Sequence, residues 1–186
     1  MPRPPERPSH EALLHKLKPE TIRANLVRAG LLLAGWEMLK GEVQDQVRDF
    51  FVIDDRADPA GALRAEYKKP VLVRHESVFE ASLLWLVEAE ALTEPQAACV
   101  RSLRAYRNEV AHELPTMLLE PGRDVDVTRI RQMQDIVAAL GRFWGRITVD
   151  TDPQFDGQDI ADAGIQSGIM MLMNILITAA ERAESA

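Results

Sequence analysis

The sequence predicts an all-α fold, an up-and-down bundle of four to five long helices, from three features of the chain. Leu, Ala, Glu, Arg and Met, all good helix formers, dominate, and aromatic residues make up only 5%. Apolar residues recur at spacings of three and four through most of the chain. Strand-like alternation is absent beyond the short run at residues 71–73, and no internal repeat is visible. At 186 residues, 46% of them apolar and 27% charged, the chain fits one ordinary globular domain that can bury a core without disulfides or metals.

Residues 1–18, opened by the proline-rich run from Met1 to Pro8, are expected as a disordered leader, and residues 19–184 as the bundle domain. The first long helix is expected over residues 20–51, with Ile22, Leu26, Ala29, Leu33, Trp36, Val43, Val47 and Phe50 on one face. Their 4-3-4-3 spacing is broken only at Lys40, and Leu31, Leu32 and Leu39 widen the stripe. Asp54, Asp55, Asp58, Pro59 and Gly61 then mark a turn, with a short helix through residues 63–67 before Pro70. Residues 77–92 are apolar almost all round, which predicts a helix in the middle of the bundle.

The next helix has a readable start. Thr93 is the N-cap, Gln96 its capping-box partner, and Pro95 is tolerated in the first turn. Its stripe is Cys99, Leu103, Tyr106, Val110 and Leu114, and Pro115 is expected to stop it. A fourth helix is expected over residues 127–147, with Ile130, Met133, Ile136, Val137, Leu140 and Trp144 inward. The last is expected over residues 160–183, with Ala161, Gly164 and Gly168 as a small-residue face suited to dimerisation.

Cys99 is the single cysteine, so no intramolecular disulfide and no cysteine cage for zinc can form, which suits a reducing cytoplasm. No secretory signal opens the chain. The one membrane candidate, residues 164–180, is interrupted by Gln166, Ser167, Asn174 and Thr178 and is shorter than the roughly 20 residues a span needs. The net charge of −7 repels nucleic acid as a whole, so a nucleic-acid partner requires a local basic patch, and DNA is disfavoured further by the lack of a clear helix-turn-helix. That leaves a helical transcription regulator as a weak third class.

One segment carries pointed chemistry. Between Arg101 and Leu114, Arg107 is followed at once by Asn108 and five positions later by His112. Cleaving RNA without metal requires a proton acceptor for the 2′-hydroxyl, a donor for the leaving oxygen, and positive charge on the phosphate. Histidine titrates nearest to operating pH. Arginine offers a permanent forked cation. Asn108 sits one turn before His112, within reach to fix the imidazole tautomer.

On an all-helical chain this arrangement resembles the HEPN superfamily, whose signature is an Arg, a polar residue, three to five further residues and a His on a bundle helix. The resemblance rests on this segment and on the bundle architecture. It implies a metal-independent endoribonuclease in a toxin–antitoxin or defence setting, with a site shared by two protomers and an antitoxin protein as a partner. It makes His112 the general acid/base, Arg107 the phosphate ligand and Asn108 the orienting residue, with Arg104 and Arg101 binding RNA and no cofactor or metal. In a subset of such toxins a tyrosine two positions after the histidine is modified by a partner enzyme; Leu114 stands there, which argues against that control. The alternative is a non-catalytic module of the same fold that binds RNA or a protein.

Helix geometry bears on this reading. Five residues at about 100° each set Arg107 and His112 roughly 140° apart, so one chain's pair does not converge on one phosphate, whereas a two-fold dimer could supply both. A purely structural role would be an Arg paired with a neighbouring carboxylate and a His favouring the helix C-terminus. Other clusters read as ordinary surface or core. Asp150, Asp152, Asp156 and Asp159 lack the calcium-loop spacing. Lys68, Lys69, Arg74 and His75 form a solvated connector, and Met170, Met171 and Met173 fill core. His10 and His15 fall near the terminus. No phosphate-binding glycine loop, metallohydrolase histidine pair or serine elbow is present.

Overall fold

The computed structural model describes residues 9–51 and 67–182, and these are helical with no strand. Ser9 opens α1 (His10–Lys16) by accepting the Ala12 N–H. Pro19, tolerated where the helix leaves its first N–H groups unpaired, starts α2 (Pro19–Lys40). This helix runs through a single π-helical turn, Gly41–Asp45, into α3 (Gln46–Phe50). A short 3-10 turn, Leu72–Arg74, precedes α4 (Val78–Glu88). Then come α5 (Glu94–Leu119), α6 (Thr128–Thr151) and α7 (Gly168–Arg182). The capping box forms as predicted: Thr93 Oγ1 accepts the Gln96 N–H and Gln96 Oε1 accepts the Thr93 N–H at 2.8 Å.

Several expectations need correction. The leader drawn to residue 18 is too long, because α1 is folded and docked. Lys16 is buried, and its ammonium donates to Asp124 and to the Arg123 carbonyl, while Asn25 of α2 bonds the same Asp124. Pro115 does not stop α5, which continues to Leu119 because Met117 beyond it is buried and keeps that face packed. The last helix begins at Gly168 rather than residue 160. Arg146 holds Asp162 and the Ile160 carbonyl and shapes the preceding segment into a 3-10 turn, Asp162–Gly164. Ala161 and Gly164 therefore lie before the helix, and no small-residue helix face exists there. The short helix at residues 63–67 falls largely outside the described residues.

The expected face of the long helix through α2 and α3 is largely kept, with two of its members turned outward. Its buried line is Asn25, Ala29, Leu32, Trp36, Leu39, Val43 and Val47, whereas Leu26 and Phe50 are exposed. The bundle's centre belongs to α2, which packs against α5, α6 and α7, and not to the apolar α4, which packs on the π turn, the 3-10 turn and α5. One hydrophobic cluster joins all of these elements. The π turn adds a residue to the helix and turns two neighbours, Glu42 and Val43, inward together. Close approach of α7's lead-in to α6 depends on two glycines. A Cβ at Gly141 would meet Ser167 Oγ at 2.7 Å, and one at Gly145 would overlap Ile165 Cγ2. Among the described residues no helix is long and apolar enough to cross a membrane.

Candidate phosphate-binding groove

Because α5 presents Arg101, Arg104, Asn108 and Arg107 on successive turns, its polar side faces the C-terminal half of α2 and the start of α4. There the three helices leave a groove of about 340 Å³, lined by Trp36, Glu37, Lys40 and Gln44 from α2 and the π turn, Ser77, Val78 and Phe79 from α4 and its cap, and Arg104, Arg107 and Asn108 from α5. Its lining carries three cations, Lys40, Arg104 and Arg107, against one carboxylate, Glu37. That local excess of positive charge stands on a chain whose net charge is −7.

Each cation is held in place. Glu37 bridges two of them, accepting from Arg107 Nη2 at 3.1 Å through Oε1 and from Lys40 Nζ at 3.3 Å through Oε2. Arg107 Nη1 also donates to Asn108 Oδ1 at 3.3 Å, while its Nε is buried without an acceptor. Arg104 lies over the Phe79 ring, 5.1 Å from its centroid, and 3.6 Å from Glu80. Phe79 in turn packs on Trp36, so the guanidinium rests on a rigid aromatic shelf.

The sequence-predicted residues divide accordingly. Arg107, Asn108 and Arg104 share the groove. Arg101 lies just outside it, paired with the largely buried Glu80 at 2.9 Å. His112 is exposed and makes no hydrogen bond among the described residues, and the Asn108 amide oxygen engages Arg107 rather than the imidazole. Around His112 the surface is acidic and locked: Arg123 binds Glu109 at 3.1 Å and Glu113 at 2.8 Å. A single chain thus brings the cation and amide together and leaves the histidine apart, as the roughly 140° separation requires.

Lys40, Glu37 and Gln44 were missed by motif reading. Lys40 did leave a signal, being the one residue that interrupts the apolar spacing of α2. Among the described residues no group of three or more His, Cys, Asp or Glu side chains could hold a metal ion. Asp152 caps a 3-10 turn, and Asp150 and Asp162 pair with Arg146. The fold and groove define an all-helical bundle protein with a basic interhelical cleft. Comparison with protein-family models, with curated proteins and with solved structures gave no match.

Proposed function

We propose that the protein binds RNA phosphate in the groove and, as a homodimer, cleaves the strand without metal in the manner that its resemblance to HEPN ribonucleases implies. The observation that carries this reading is the groove's three cations against one carboxylate on an acidic chain. Arg107 and Arg104 supply forked donors for phosphate oxygens, and Lys40 adds a point charge. Glu37 occupies Arg107 and Lys40 in the free protein, so an incoming phosphate displaces it. His112 of a second chain then acts as general acid/base, with the RNA 2′-hydroxyl as nucleophile and a 2′,3′-cyclic phosphate as product. Uncovered apolar residues on α7, Met171, Leu172 and Ile175, offer a surface that a second copy would bury. A toxin or defence role with an antitoxin partner accompanies this reading.

The test is binding and cleavage of a single-stranded oligoribonucleotide in EDTA. Arg104→Ala and Arg107→Ala should weaken binding and each lower the slope of log affinity against log salt by about 1. Glu37→Gln should tighten binding, and His112→Ala should abolish cleavage without changing the melting temperature. RNA binding that is indifferent to salt and to these substitutions would refute the proposal. A second reading, a non-catalytic RNA-binding module, is favoured by the absence of an orienting bond to His112. Salt-dependent binding by a protein that never cleaves would establish it.

A further inference from the structure

A second cavity, of about 440 Å³, lies between the π turn, α6 and the start of α7, away from the basic groove. Its charged group is Glu42, which is only 8% exposed and makes no hydrogen bond or ion pair among the described residues. Burial disfavours its charged form, and no protein group among the described residues offsets that. The wall also holds the opposite polarity. Gly168 and Ile169 begin the 15-residue α7, and their backbone N–H groups have no acceptor among the described residues; the Ser167 hydroxyl takes the Met170 N–H at 3.4 Å. A helix start of this kind favours an anion. The indole N–H of Trp144, another wall residue, is buried without a partner.

Between these two poles the lining is apolar on one side, with Trp144, Ile165 and Ile169, and polar at Gln46, Gln166 and Ser167. Gly141 and Gly145 are required for the cavity in this form, since a Cβ at either would push α7's lead-in away. The π turn is equally specific: it is the one-residue insertion that turns Glu42 inward.

We propose that this cavity binds a small zwitterion of the free amino-acid class, its ammonium against Glu42 and its carboxylate at the amides that open α7. The ammonium supplies the donors and the positive charge that Glu42 lacks, and the carboxylate supplies the acceptor that Gly168 and Ile169 lack. A side chain of moderate size packs on Trp144, Ile165 and Ile169. Burial holds Glu42 at a pKa of about 7, so a docked ammonium also restores the ionised form.

The experiment is a thermal-shift titration of the full chain with glycine, L-serine, L-leucine and L-glutamine. Isoamylamine and isocaproate serve as the two halves of leucine. At tenfold over Kd, at least one amino acid should raise Tm by about 3–6 °C. Neither half should reach a third of that shift. Glu42→Gln should lose the response while melting at or above the parent. No shift with any of the four amino acids would overturn the proposal. So would an equal shift in Glu42→Gln, or an amine or acid alone that matches the zwitterion.

Discussion

Glu42→Gln is expected to stabilise the ligand-free protein, and by an amount that depends on pH. Burial raises the Glu42 carboxyl from 4.5 to about 7, with no compensating partner. A group raised in the folded state contributes its full stability below the unfolded value and loses it as pH climbs through the folded one. Loss therefore runs from about pH 4.5 to about pH 7 and is complete above that. At about 1.36 kcal/mol per pH unit, the gap is worth roughly 3 kcal/mol at most. Solvent reaching the carboxyl through the cavity mouth reduces this to roughly 2 kcal/mol. Gln is nearly the shape of the protonated acid and never ionises. For a chain of this length roughly 2 kcal/mol is about 4–8 °C in Tm. Melts of parent and variant, free of amino acids, should therefore differ by that amount at about pH 8 and coincide at about pH 4. A difference of the same size at both pH values, or a variant less stable at pH 8, would refute the reasoning.

Other expectations rest on separate parts of the fold. Asn25 is fully buried and bonds the Thr21 carbonyl, Asp124 Oδ1 and the Val125 N–H, so Asn25→Ala should cost about 2–4 kcal/mol by chemical denaturation. Asp124 shows the opposite pH sign to Glu42. Burial alone would push it up, but hydrogen bonds from Lys16 and Asn25 outweigh that and hold it below the usual aspartate range. Its tether to α1 is present at neutral pH and lost as acid protonates it below its folded value, which proteolysis of the amino-terminal segment under mild acid would detect. Pro115→Ala, at an exposed site inside α5, should raise stability by about 1–3 kcal/mol by restoring a helix hydrogen bond, measured as a higher denaturation midpoint.

Local sequence chemistry determined the all-helical class and much of the helix layout. The Thr93–Gln96 box and the apolar stripe of α5 are one-dimensional signals, because capping and amphipathicity depend on neighbours within a turn or two. The same holds for the angle between Arg107 and His112, which regular helix geometry sets before any packing. Tertiary structure decided the rest. Pro115 sits inside a helix because burial of Met117 beyond it outweighs the lost bond, a balance no local rule contains. Leu26 of the α2 stripe is exposed while Leu32 and Leu39 on its widened edge are fully buried, because that helix is covered by α5, α6 and α7, so which of several leucines is buried depends on its neighbours. Lys40 and Glu37 joined Arg107 across about 70 residues of sequence. Glu42 is a buried, unpaired acid on a π turn beside a cavity bordered by two glycines of α6, and in sequence it is one more charged residue beside Val43. Periodicity names the faces of helices; which faces meet, and what is left unpaired where they do, is settled by close packing among distant parts of the chain.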